Sequence, residues 1–252
     1  FTQENIKYSL FNWSKLLNQE ILSSWLNPYK LDNLSKNKNV LIIMAGNIPL
    51  VGFHDLLTAL ICGCKVTIKM SSNDNILINL IIQKLIEIES SFKYYISFID
   101  DLKDRSFDAV ITAGSNNSSR YFDYYFKDIP KIIRKNRCTV AILDGNETDL
   151  ELNGLAKDIF LYFGLGCRNV SKLFLPKGYD LDLLFNHFYS YAKLLEHKKY
   201  ANNYDYYKTI YLLGKHKLIE NGFLLMKEGS SLFSPISMLN YEFYSSRLSV
   251  NN

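Results

Sequence analysis

Cys167 stands in Phe163-Gly-Leu-Gly-Cys-Arg168, behind two glycines that frame a leucine. The glycines open backbone conformations closed to other residues and allow close approach of a ligand. A thiol on such a loop becomes a nucleophile when a positive field favours its thiolate. The same cysteine could equally be a small buried hydrophobe, and composition leaves both readings standing. In Ala45-Gly-Asn-Ile-Pro-Leu50, Gly46 lets the chain turn and Pro49 suits a helix's first turn. Asn47 there is a neutral amide donor, read first as a turn or cap residue. In Thr112-Ala-Gly-Ser-Asn-Asn-Ser-Ser-Arg120, Gly114 and Ser115 open a polar run whose free N–H groups can hold a phosphate. An ordinary capped helix explains that run as well. It is not a GxGxxG, and no GxxxxGK[ST] occurs in the chain.

Other chemistry-bearing residues read more simply. Cys62, Cys64 and Cys138 are taken as core residues, and Cys62-Gly-Cys64 lacks the spacing of a redox or zinc pair. His54 could pair with Asp55 or cap a turn. The basic run Lys131–Arg137 reads as a solvated edge, and the tyrosines between 189 and 211 as packing on helix faces. No metal site is expected.

These loops need elements to position them. Residues 2–26 carry apolar residues at helical spacing, ended by Asn27-Pro28. Val40–Ala45 is a continuous apolar run, expected as a strand buried on both faces of a parallel sheet. A helix over 50–63, a strand over 65–70 and a helix over 75–89 capped by Asn73-Asp74 follow. Strands are expected at 94–99, 107–113, 139–143 and 172–176, with helices at 118–126, 149–163 and 180–199. Residues 227–235 read as a loop leading to a strand at 236–239. Strands alternating with helices indicate an α/β fold with a mostly parallel sheet. Ligands in such sheets bind outside the carboxyl ends of the strands.

The totals bound the function. The chain has 252 residues, is 48% hydrophobic and carries a formal net charge of +4 from 29 basic and 25 acidic side chains. Such mixed charge argues against a nucleic-acid or membrane-surface protein. Four cysteines without a framework read as reduced thiols in a cytoplasmic setting. No signal peptide opens the chain, and no apolar run reaches the roughly 18 residues of a membrane span. A start at Phe1 and an end on Asn251-Asn252 read as a fragment.

The order of the loops is specific: Gly-Asn-x-Pro, a strand ending in Lys69 before Ser71-Ser72, Ala-Gly-Ser, Leu-Asp-Gly, Gly-x-Gly-Cys, Phe-Ser-Pro. It resembles the aldehyde dehydrogenase superfamily, and more closely the acyl-CoA reductases of the LuxC family. The segments that carry the likeness are AGNIPLVGFHDLLTALICGCKVTIKMSS, ITAGSNNSSRYFDYYF with IIRKN, and YFGLGCRNVSKLFLP. The resemblance runs from about residue 39 to 244.

The resemblance implies a Rossmann-like cofactor domain over 1–144 and an α/β catalytic domain over 145–252. It implies Cys167 as nucleophile and Asn47 as oxyanion donor. Lys69, with Ser71 and Ser72 after it, would lie at the adenine ribose, Gly114 and Ser115 near the pyrophosphate, and Phe233 beside the nicotinamide. Aldehyde dehydrogenases carry a glutamate that activates water, and Ile142 stands in its place, which favours thioester reduction over oxidation to an acid. Ser72 replaces a glutamate that binds the ribose 2′-hydroxyl, so NADPH is favoured over NADH; Ser231 replaces a second glutamate that grips the nicotinamide ribose. The implied substrate is an acyl-CoA, and the implied partners are a second copy or a fatty-acid reductase complex. The alternatives are an acyl-phosphate reductase of the same superfamily and a non-catalytic subunit.

Overall fold

The computed structural model describes residues 1–31, 37–102, 106–114, 116–135, 137–247 and 250. They form two compact units, Phe1–Asn136 and Arg137–Asn252. In the first, the amino-terminal segment makes two helices, α1 (Gln3–Leu16) and α2 (Gln19–Leu26), where the sequence predicts one over 2–26. The Asn18 side chain accepts the Glu20 N–H at 2.8 Å, an N-cap bond that ends one helix and starts another.

The rest of this unit alternates strand and helix: β1 (Asn39–Ile43), α3 (Phe53–Ile61), β2 (Lys65–Lys69), α4 (Leu77–Ile88), β3 (Ile96–Phe98), β4 (Ala109–Ala113), α5 (Asn116–Tyr125) and β5 (Lys131–Arg134). α4 starts at Leu77, two residues later than expected, with Ile76 at its N-cap; Asp74, just ahead of it, accepts the Leu77 N–H at 3.2 Å. The sheet is wholly parallel, in the order β3-β2-β1-β4-β5. Its central strand β1 explains the apolar run. Val40 and Ile42 join the cluster under α3 and α4, with Leu56, Ile78 and Ile82. Leu41 and Ile43 join the opposite cluster, with Val110 and Phe126. Helices thus cover both faces, and the strand order reverses between β1 and β4. In a doubly wound sheet that reversal opens a crevice at the carboxyl ends of the two strands.

The second unit holds β6 (Thr139–Ile142), α6 (Asp149–Phe160), β7 (Val170–Pro176), α7 (Leu181–Phe188), α8 (Lys198–Leu213), β8 (Ile219–Glu220), β9 (Leu225–Glu228) and β10 (Met238–Tyr244). Its sheet runs β6-β7-β10-β9-β8, parallel except for the β8–β9 pair. Thr148 and Glu151 form a reciprocal capping box that starts α6. Leu173, Leu175 and Leu239 pack with Leu152, Phe160, Leu184 and Phe188 in the main core. The expected domain boundary at 144/145 differs from this division. β6 pairs with β7 from Thr139 onward, so it belongs to the second sheet.

Candidate active site

In the first unit the candidate residues leave the carboxyl ends of neighbouring strands. Ile43 ends β1 in register with Lys69 on β2 and with Thr112 on β4. The chain then turns through Gly46 and Asn47. A Cβ at Gly46 would come within 2.6 Å of Ser71 Oγ and 2.9 Å of Ser71 Cβ. The missing side chain is therefore what lets the Asn47 loop lie against the loop after β2. Ser71 in turn accepts the Asn73 N–H at 3.2 Å. Lys69 Nζ donates to the Asp100 carbonyl at 2.6 Å, which holds the lysine across the ends of β2 and β3. Ser72 and Asn47 are exposed. Gly114 follows β4 directly, and its N–H donates to the Arg134 carbonyl at 3.3 Å. Ser115 lies outside the described residues. Loops from β1, β2 and β4 thus meet at the end of the sheet where its order reverses, and this fits a dinucleotide cofactor by the rule for such sheets.

In the second unit Cys167 is an exposed free thiol. The chain reaches it through three consecutive left-handed residues: Tyr162 at φ 55°, Phe163 at φ 62° and Gly164 at φ 74°. Two of these carry side chains, and such conformations persist only where the surroundings enforce them. The Phe163 ring packs on His197 at 4.3 Å between centroids. Asn169 closes the far side. Its Oδ1 accepts the Gly166 N–H at 2.7 Å, its N–H donates to the Gly166 carbonyl at 3.0 Å, and its Nδ2 donates to the Asp158 carbonyl at 2.8 Å. Cys167 and Arg168 are the central residues of the turn so formed.

Phe233 is exposed on a loop whose backbone is tied down on both sides. Asn240, buried on β10, donates from Nδ2 to the Phe233 and Ser231 carbonyls at 2.7 and 3.2 Å. Ser171 Oγ donates to the Leu232 carbonyl at 2.7 Å. Lys172, wholly buried on β7, donates to the Gly229 carbonyl and pairs with Glu242 at 3.0 Å. The Cys167 and Phe233 loops border one small cavity of about 40 Å³, lined by Gly164, Asn169, Ser234 and Ser237 among others. Buried Tyr200 also lines it, and desolvation pushes its phenol well above the usual tyrosine range, so the hydroxyl stays protonated.

Sequence reasoning did not find Asn169, Lys172 or Asn240. The one available signal was their position beside the nucleophile loop or in adjacent strands. Among the other candidates, His54 lies 3.6 Å from Asp55 and between the rings of Trp13 and Trp25. The core reading of Cys138 is corrected: it is exposed, because it precedes β6 rather than entering it. Cys62 and Cys64 are half-buried. Lys131–Arg134 is an edge strand, but the solvated-edge reading holds only in part: Lys131 pairs with Asp123 at 3.0 Å and Arg134 with buried Asp55 at 2.6 Å. Tyr200 and Tyr204 pack on the inner face of α8. Among the described residues no cluster of three or more His, Cys, Asp or Glu has metal-holding geometry, and no helix is long and apolar enough to cross a membrane.

A family model described as acyl-CoA reductase (LuxC) matches residues 14–183, about two thirds of the chain. No curated protein matches the sequence. Among solved structures, the AldA indole-3-acetaldehyde dehydrogenase of P. syringae, in complex with NAD+ and IAA, is 13% identical with a TM-score of 0.68, covering 86% of this chain and 53% of that one. An aldehyde dehydrogenase of Physcomitrella patens is 14% identical with a TM-score of 0.67, covering 84% and 52%. An NAD-dependent aldehyde dehydrogenase of Sinorhizobium meliloti is 14% identical with a TM-score of 0.63, covering 84% and 51%. These likenesses show an aldehyde dehydrogenase fold. The chain spans about half the length of the structures it matches.

Proposed function

Because this chain belongs to the acyl-CoA reductase (LuxC) family, we propose that it reduces a fatty acyl-CoA thioester to the aldehyde through an S-acyl intermediate on Cys167. The match over residues 14–183 carries this reading, since it spans both Asn47 and Cys167. The exposure of the thiol on a turn enforced from both sides supports it.

In this mechanism the Cys167 thiolate attacks the thioester carbonyl, forming a carbon–sulfur bond. The Asn47 amide and the Cys167 backbone N–H stabilise the oxyanion, and loss of one such donor typically costs roughly 10²–10³ in rate. The tetrahedral adduct collapses, and coenzyme A leaves as its thiolate. Lys69, Ser71, Ser72, Gly114 and Ser115 would hold a nicotinamide cofactor, and Phe233 would contact its nicotinamide. When bound, that cofactor supplies the hydride that converts the acyl group to the aldehyde. Cys167 is then released as thiolate. Ile142 offers no carboxylate to activate water, so the acyl group is kept for reduction. Ser72 brings no negative charge to the ribose, which favours NADPH.

The test is a panel of acyl-CoAs of increasing length with NADH and NADPH, run on the wild type and Cys167→Ser. Acylated protein should be visible by mass in the wild type, and both acylation and aldehyde formation should vanish in the variant. A Cys167→Ser protein that keeps reducing acyl-CoA would sink the assignment. Turnover of acyl phosphates in place of acyl-CoA would move the protein to the phosphate-activated reductases. A wild type that takes up neither acyl group nor cofactor would favour a non-catalytic subunit.

A further inference from the structure

The connection between β1 and α3 is held more firmly than a loop of its length needs. Leu50 sits at φ 59°, a left-handed conformation that a leucine keeps only where its surroundings over-determine it. Those surroundings are present. Leu50 is buried, and the Pro49 carbonyl accepts the buried Ser9 hydroxyl of α1 at 3.1 Å. Gly46 backs onto Ser71, and the Met44 side chain lies where a Cβ on Gly52 would stand, 2.6 Å from that point.

The end of the connection is pinned by charge. Asp55, in the first turn of α3, is 6% exposed. Arg134 Nη2 donates to its Oδ1 at 2.6 Å, and Nε lies 3.2 Å from both carboxylate oxygens. A guanidinium fork on a carboxylate fixes direction as well as distance. Arg134 ends β5, two places along the sheet from β1. Its carbonyl accepts the N–H of Gly114. One arginine therefore touches the first turn of α3 through its side chain and Gly114 through its backbone. His54 Nδ1 also faces Asp55, at 3.6 Å.

We infer that Asp55 and Arg134 are positioning residues, a brace that sets the Asn47 loop relative to the Gly114 turn. The inference rests on the reading of Asn47 as oxyanion donor. With β1 fixing one end of the connection and the ion pair the other, the Asn47 amide keeps one location without help from substrate. Preorganisation of that kind is what makes such a donor effective.

The test compares Asp55→Asn, Arg134→Gln, Arg134→Lys, Asn47→Ala and Asn47→Ala/Asp55→Asn. Two quantities are read: the single-turnover rate of Cys167 acylation by acyl-CoA, and amide hydrogen exchange in peptides covering 44–55. Asp55→Asn and Arg134→Gln should each slow acylation roughly tenfold with acyl-CoA affinity unchanged. Both should speed exchange in that segment. Arg134→Lys, which keeps the charge but loses the fork, should recover part of the rate. The double variant should acylate no more slowly than Asn47→Ala alone, because the brace acts through Asn47. Wild-type acylation and exchange in Asp55→Asn would overturn the inference, as would a further tenfold loss on top of Asn47→Ala. Should Asn47→Ala itself acylate at the wild-type rate, the oxyanion reading fails, and the exchange measurement alone decides whether the brace exists.

Discussion

Asn169 Oδ1 accepts the backbone N–H of Gly166 at 2.7 Å, and Cys167 sits in the turn that this bond closes. The same side chain donates to Asp158 at the end of α6, so the turn is tied to a helix rather than only to itself. Asn169→Ala removes both side-chain bonds and leaves the turn closed only by the Asn169 N–H on the Gly166 carbonyl. We expect the acylation rate to fall by roughly 10–10² with a much smaller change in KM, the pattern of a displaced nucleophile. Stopped-flow acylation with saturating acyl-CoA checks it. An unchanged rate would show that the backbone of the turn positions Cys167 without the Asn169 side chain.

The contact between Gly46 and Ser71 predicts an unusual epistasis. Gly46→Ala forces a Cβ to within 2.6 Å of Ser71 Oγ and 3.0 Å of the Asp74 backbone nitrogen. Overpacking of this kind costs about 1–3 kcal/mol. The same substitution in a Ser71→Gly background should cost less, because only the Asp74 contact remains. Urea denaturation of the four proteins gives the coupling, and equal costs in both backgrounds would rule out the packing account.

Lys172 is wholly buried, whereas its partner Glu242 is half-exposed. Lys172→Met fills the same space but leaves the Gly229 carbonyl without its donor and Glu242 free to hydrate. We expect a loss of about 1–3 kcal/mol, the cost of the unpaired acceptor. The loop from Gly229 to Ser234 should also become more sensitive to proteolysis. Limited digestion followed by mass mapping reads that directly, and a wild-type cleavage pattern would contradict the anchoring role.

Glu220 provides a pH handle on the second unit. Hydrogen bonds from Lys208 and then Tyr204 hold its carboxyl below the ordinary glutamate range. A depressed folded-state value contributes stability that is fully present above the unfolded value, about pH 4.3. That stability is lost as pH falls through the folded value. The pair is partly exposed, so screening limits the contribution to about 0.2–1 kcal/mol. Glu220→Gln should therefore be less stable than the wild type at pH 7, and the gap should narrow as pH falls below about 4.3. A difference that did not shrink with falling pH would mean that packing, not charge, is responsible.

Some of this was legible in the sequence because a single local rule governed it. Val40–Ile43 is apolar at every position since both faces of β1 are covered. Asp74 announces α4 because a carboxylate before an apolar run can take a free N–H of the first turn. β9 was not legible: Leu225-Met-Lys-Glu228 is too short for any period, and only its burial between β8 and β10 makes it a strand. The sheet that β6 joins is not legible for a related reason, since nothing local to Thr139–Ile142 says which strand it will pair with. Within the candidate site, Gly46 and the Gly-Leu-Gly before Cys167 could be read as turns. The left-handed Tyr162 and Phe163 could not, because no rule of residue type places two aromatic residues there. The Phe163 ring packs on His197, a partner 34 residues further along the chain.

The two sheets also differ in when they can be completed during synthesis. Every strand of the first comes from residues 39–134, and each pairs with strands drawn from that same stretch. It can close while the rest of the chain is still being made. In the second, β10 lies between β7 and β9, so its middle place stays empty until residue 244 has emerged from the ribosome. Until then β7, which follows Cys167 by only three residues, has an open edge where β10 will pair. A ribosome stalled shortly before residue 238 would therefore carry a closed first sheet and a second one with β7 unpaired on one side, a stage at which the nascent chain is open to aggregation and to chaperone capture.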